Sequence, residues 1–158
     1  EDEDFKRLAE TQSSISFCPT SNLFLGSGLF NLAAADEFKT QVSLATDVGG
    51  GTSFSMLQTL SEAYKICQLR KYKLDAKKAF YLATLGNAKT LMLDDKIGNF
   101  ETGKEADFII VDLASTALME RKQSKCKTLD EALFSLMILG DDRAISETYV
   151  AGKKIYQK

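Results

Sequence analysis

Hydrophobic positions along this chain change their period several times, and each change marks an element boundary. Phe5, Leu8 and Ala9 recur at helical spacing among charges, which predicts the end of an amphipathic helix over Phe5–Gln12. Ser14-Ile15-Ser16-Phe17-Cys18 alternates like a short strand and stops at Pro19, the only proline, which also disfavours helical geometry at Cys18. From Pro19 to Gly28 the composition reads as loop, with Gly26 and Gly28 as turn positions, and a short helix is expected within Leu29–Phe38. Val42 to Thr46 is a β-prone apolar run that predicts a buried strand. It ends in Asp47, and Gly49-Gly50-Gly51 follows.

The second half begins with two helices. One is predicted from about Phe54 to Leu69, capped by Thr52 or Ser53, with Met56, Leu57, Leu60, Tyr64 and Cys67 as its apolar face. Asp75 caps the next, which is expected to run to about Leu91 with Ala79, Phe80, Leu82, Ala83 and Leu85 mostly inward. Strand–loop–helix units in succession fit either the tail of a β/α barrel or a doubly wound sheet. After Asp94-Asp95 the texture changes. Gly98 and Gly103 flank a turn, and Ala106 to Asp112 reads as a strand. Thr128-Leu129-Asp130-Glu131 is a capping box that opens a helix to Leu139, stopped by Gly140. That helix is apolar nearly all round from Ala132 to Leu139, so deep packing is expected. Ile145–Val150 and Lys153–Tyr156 form a hairpin turning at Ala151-Gly152, and the region from about 95 onward is expected to be mainly β.

Composition narrows the class. With 158 residues and 44% hydrophobic content the chain can bury a core of one ordinary domain or two small units. The net charge of −2, with no basic cluster among aromatics, argues against nucleic acid as a partner. No apolar stretch approaches the ~18–20 residues that span a bilayer, and the acidic Glu1-Asp2-Glu3-Asp4 is unlike a signal peptide, so a cytoplasmic protein off the membrane is expected. Cys18, Cys67 and Cys126 are widely spaced and odd in number, which reads as three reduced thiols.

Four patterns invite a chemical reading. Asp47 closes an apolar strand, and a carboxylate there is costly unless a cation meets it; at the mouth of a parallel barrel that position carries catalytic groups. The competing reading is an acid that caps the following turn. The sequence contains no histidine, so a metal site around Asp47 would lack imidazole ligands within these residues. Gly49-Gly50-Gly51 fits a backbone passing close to a ligand better than a phosphate cradle. Gly98-x-x-x-x-Gly103-Lys104 lacks the P-loop hydroxyl, has Glu105 in its place, and precedes a strand, so it reads as a turn. Asp141-Asp142-Arg143 reads as a local ion pair, and Cys18 has no histidine to activate it as a nucleophile.

Several stretches taken together resemble guanine deaminases of the amidohydrolase superfamily. They are Phe17-Cys18-Pro19-Thr20-Ser21-Asn22-Leu23-Phe24-Leu25-Gly26-Ser27-Gly28, Thr46 through Leu57, Phe80 through Gly86, Ile97 through Phe100 with Gly103 through Asp107, and Leu139-Gly140-Asp141-Asp142-Arg143. The Gly-Lys-x-Ala-Asp element is common to many amidohydrolases, whereas the first two stretches and the last are more specific. This resemblance implies an α/β fold: the C-terminal fragment of a metal-dependent (β/α)8 barrel, residues 1–93, with the C-terminal share of a flanking small β-sandwich, residues 94–158. A whole barrel takes roughly 250 residues, so most of it would lie upstream.

The same resemblance implies the chemistry. Bound zinc lowers the pKa of a water, and the hydroxide attacks C2 of guanine. Asp47, as metal ligand, substrate-binding and catalytic residue, accepts the proton and helps deliver it to departing ammonia, leaving xanthine. The other metal ligands and a catalytic glutamate are expected upstream of Glu1, so the isolated chain is expected to be inactive, and the full-length enzyme to be a homodimer. A deaminase or chlorohydrolase for another heterocycle, or a non-enzymatic binding or assembly module, are the competing readings.

Overall fold

A computed structural model describes residues 2–158. Helix α1 (Asp2–Glu10) places Asp2, Glu3 and Asp4 in its first turn and Arg7 in its last, each charge complementing the helix dipole, and buries Phe5. Strand β1 (Ser14–Phe17) then runs parallel to β2 (Gln41–Leu44), with Ser14 opposite Gln41 and Phe17 opposite Leu44. The connection between them holds α2 (Pro19–Leu25) and α3 (Leu32–Glu37), as a parallel pairing requires a crossover.

Residues 19–25 were expected as loop and are a helix instead. Pro19 occupies the first helical positions, where its missing N–H is no loss, and Gly26 ends the helix in left-handed backbone. Strand β2 stops at Leu44 rather than Thr46.

Helix α4 (Met56–Leu69) is capped by Ser55, whose hydroxyl accepts from Gln58 N–H, rather than by Thr52 or Ser53. Leu57, Leu60, Ala63, Ile66 and Cys67 are its buried face. The helix expected from Asp75 to Leu91 is two: α5 (Ala76–Ala83), capped by Asp75, and α6 (Leu85–Thr90). The break falls at Thr84, whose hydroxyl bonds the Phe80 carbonyl at 2.7 Å and competes with the helical ladder.

The remainder is not mainly β. Strands β3 (Phe108–Val111), β4 (Ile145–Val150) and β5 (Lys153–Gln157) share it with α7 (Ala117–Gln123), which the sequence reading missed, and α8 (Leu129–Leu139). The strands form an antiparallel sheet in the order β3-β4-β5, closed at Ala151 and Gly152, both with positive φ as a type I′ turn demands. Phe108 stacks on its cross-strand partner Tyr149 at 4.4 Å. The capping box of α8 is present. Its packing is one-sided rather than deep all round: Ser135, Leu136 and Met137 are buried, while Leu129 is exposed. Edge-to-face contact of Tyr64 with Phe134 joins α8 to α4.

One apolar core runs through Phe17, Leu32, Leu44, Leu60, Ile66, Leu74, Met119 and Met137. It anchors β1, β2 and α4, the elements that frame the loop around Asp47. Among the described residues no helix is long and apolar enough to cross a membrane.

Candidate active site

Where β2 ends, the Ala45 N–H still donates to the Phe17 carbonyl at 3.0 Å, so the ends of β1 and β2 stay locked together. Asp47 follows in left-handed backbone, φ 49°, which aspartate tolerates better than most residues. The chain then folds back: Gly51 N–H donates to the Asp47 carbonyl at 2.5 Å and Gly49 N–H to the Gly51 carbonyl at 3.2 Å. Gly51 lies so close to Thr46 that a Cβ would overlap the Thr46 carbonyl oxygen. The glycine run therefore works as a tight backbone turn that presents Asp47.

Asp47 is exposed, which corrects the expectation of an acid in a buried strand end; the desolvation cost invoked for it does not arise within this chain. Its carboxylate makes no hydrogen bond or ion pair among the described residues, so it does not cap the turn it starts. The side chain is uncommitted.

Two neighbours, Cys18 and Ser21, come from the junction of β1 and α2. Cys18 is half-buried and donates to the Ser16 carbonyl at 3.4 Å; burial, reinforced by the Asp47 charge, raises its thiol pKa. It stays neutral and is no activated nucleophile. Ser21 is buried, and a Cβ on Gly50 would fall 2.9 Å from its Oγ and 3.0 Å from Asp47 Oδ2, so Ser21, Gly50 and Asp47 are packed side by side. The Thr20 hydroxyl is buried without a hydrogen-bond partner among the described residues. The sequence reading missed Thr20 and Ser21 because it took this stretch for surface loop.

The donor set does not make a zinc site by itself. No group of three or more His, Cys, Asp or Glu among the described residues could hold a metal ion, and the sequence has no histidine. Asp47 can contribute one oxygen ligand and no more.

The other motifs lie apart from this chemistry. Lys104 pairs with Glu101 at 2.8 Å in the turn that Gly98 and Gly103 flank. Arg143 grips Asp141, Nη2 to Oδ2 at 2.6 Å, and that contact holds the Asp141 carboxyl below the usual carboxylate range.

Residues 1–155 match the amidohydrolase family. The chain belongs to that family. This amidohydrolase chain is 55% identical to the guanine deaminase of Escherichia coli (strain K12) over 158 residues, which is 100% of the chain and 36% of that protein. The structure of E. coli guanine deaminase superposes with a TM-score of 0.98, covering 100% of this chain and 37% of that one. A guanine deaminase from C. acetobutylicum, with guanine bound in the active site, gives 0.83 at 26% identity over 99% of this chain and 37% of that one. An adenosine deaminase from Xanthomonas campestris with bound zinc gives 0.82 at 28% identity, over 98% and 34%. The amidohydrolase chain thus spans little more than a third of the curated E. coli relative it matches, 36% of its length.

Proposed function

We propose that these 158 residues are the C-terminal portion of a zinc-dependent guanine deaminase, a hydrolase converting guanine and water to xanthine and ammonia, with Asp47 as its active-site carboxylate. In this reading residues 1–93 are the last units of the barrel and 94–158 the C-terminal share of the small β-sandwich. The observation that carries it is the 55% identity to the E. coli guanine deaminase along the whole chain. Support for Asp47 comes from its position beyond the C-terminal end of a parallel strand, the end at which β/α barrels collect catalytic groups. The relatives with bound guanine and with bound zinc support the substrate and the metal.

Zinc, when bound, supplies the Lewis acidity that makes water nucleophilic near neutral pH, and its remaining ligands come from outside these residues. Asp47 accepts the proton of the attacking water on a carboxylate oxygen and passes it to the departing amine, which leaves as ammonia. An uncommitted, exposed carboxylate suits that task because nothing in the chain competes for its lone pairs. The tight Gly49–Gly51 turn keeps it at the strand mouth. In the same reading the complete protein is a cytoplasmic homodimer, and the three unpaired cysteines of this chain suit a reducing compartment.

The test uses the full-length protein. Asp47→Asn and Asp47→Ala are expected to lower ammonia release from guanine by ~10²–10⁴-fold, and Asp47→Ala to lower zinc content as well. Turnover close to wild type with zinc unchanged would remove Asp47 from the site. A second reading, deamination of another purine compound, is favoured by the adenosine deaminase neighbour; assaying adenosine beside guanine separates the two.

A further inference from the structure

Ser21 sits in the first turn of α2 and is only 3% exposed, yet its hydroxyl has no hydrogen-bond partner among the described residues. A hydroxyl kept from water without an acceptor is destabilising, so its place in the fold calls for a reason. The usual outlet for a helical serine is a backbone carbonyl three or four residues back. Both such carbonyls are engaged here. The Cys18 carbonyl accepts the Asn22 N–H at 2.9 Å, and the Phe17 carbonyl accepts the Ala45 N–H at 3.0 Å, the contact that locks β1 to the exit from β2.

The hydroxyl borders Gly50 instead. A Cβ built on Gly50 would lie 2.9 Å from Ser21 Oγ, 3.0 Å from Asp47 Oδ2 and 3.5 Å from Leu25 Cδ1. Gly50 is outside the left-handed region, so its backbone does not itself demand glycine. What a side chain there would take is the space that both oxygens border. One oxygen carries a proton with no acceptor; the other belongs to an anion with no donor among the described residues. Helix α2 fixes the backbone of Ser21, whereas the Asp47 side chain is exposed and free to turn, so the carboxylate is the partner that moves.

Resting on the reading of Asp47 as the active-site carboxylate, we propose that Ser21 is its positioning residue: the hydroxyl donates to Oδ2 across the Gly50 gap and leaves Oδ1 facing the strand mouth. A hydrogen bond from a hydroxyl to an ionised carboxylate is about twice as strong as one between neutral groups, enough to select one rotamer of an otherwise loose side chain. It occupies one lone pair of one oxygen, and Oδ1 keeps its own for the proton of the attacking water. Without the hydroxyl the carboxylate is spread over several rotamers, and only a fraction of them reach that proton.

Steady-state kinetics on guanine with the full-length protein test this in Ser21→Ala, Ser21→Cys, Asp47→Asn and the double variant Ser21→Ala/Asp47→Asn. Ser21→Ala is expected to lower kcat ~10–100-fold, with KM within about twofold and with zinc content and melting temperature kept. Ser21→Cys has nearly the volume of serine but only a weak donor, so it is expected to be as slow as Ser21→Ala. A packing role would instead be restored by the cysteine. In the Asp47→Asn background Ser21→Ala is expected to add no further loss, because the two act as one unit. A wild-type kcat in Ser21→Ala or Ser21→Cys, or an undiminished loss in the Asp47→Asn background, would overturn the proposal while a slow Asp47→Asn leaves the deaminase reading standing. If Ser21→Ala does not fold, Ser21→Cys decides by the same criterion. Wild-type turnover by Asp47→Asn would overturn the deaminase reading, and the role of Ser21 with it.

Discussion

Asp47 and Gly51 depend on each other through a single backbone turn. A side chain on Gly51 has to displace the Thr46 carbonyl, which is backbone and belongs to the exit from β2. Gly51→Ala is therefore expected to destabilise the full-length protein by about 1–3 kcal/mol and to cost activity by moving Asp47. Gly50→Ala is the informative comparison, because its Cβ would crowd the Ser21 hydroxyl and the Asp47 carboxylate, with Leu25 Cδ1 at 3.5 Å, all of them side-chain atoms that can shift. Thermal melts together with turnover distinguish them: an Ala at 51 that behaves like an Ala at 50 would contradict this account of the turn. Cys67 offers a separate check. Burial pushes its thiol pKa up to about 11, so the neutral form is favoured in the fold. The stability this contributes is present below the unfolded thiol's pKa and is lost as pH rises toward the folded value. At neutral pH a thiol reagent is expected to label the half-buried Cys18 and Cys126 first and Cys67 only on unfolding. The place of Asp47 just beyond a strand was legible in the sequence, because an acid following an apolar β run stands out. Its neighbour Ser21 was not, since that nearness depends on how α2 folds back against the glycine turn.

At the scale of elements, legibility followed how local the deciding interaction was. The capping box of α8 and the two-residue hairpin of β4 and β5 are set by adjacent residues, and both are where the sequence placed them. Thr128→Ala removes the hydroxyl that accepts the Glu131 N–H at 3.2 Å, so a loss of about 1 kcal/mol is expected by denaturant titration. An unchanged midpoint would mean that tertiary packing alone fixes the start of α8. The elements misread are those whose local signals conflict. Pro19 with serine, asparagine and glycine resembles a turn, yet Pro19, Thr20 and Ser21 are buried, and burial settles α2 as helix. Thr84 carries no breaker signature, and its hydroxyl divides α5 from α6. Helix α7 holds only Met119 buried, so its periodicity is too short to register.

For the whole molecule, the question is what the chain's own surface does without more protein around it. Among the described residues, strands β1 and β2 pair only with each other, which leaves the outer edge of each unpaired there. Such edges recruit further strands. Large apolar side chains also lie open, Phe54 at 83% and Met92 at 86% exposure among them. Patches of this kind mark surfaces that bind other protein or aggregate. The isolated 158 residues are therefore expected to self-associate or to remain partly unfolded. They are also expected to release no ammonia from guanine when zinc is added, since Asp47 is one ligand where a catalytic zinc needs about three from protein. Size exclusion with light scattering, a thermal melt and the ammonia assay test both expectations on one preparation. A monomeric mass with a single sharp transition would show that the exposed faces are compatible with a self-sufficient domain and would favour the binding-module reading. Sustained zinc-dependent release above a protein-free control would instead mean that these residues assemble a metal site without histidine, and the dependence on upstream ligands would fall.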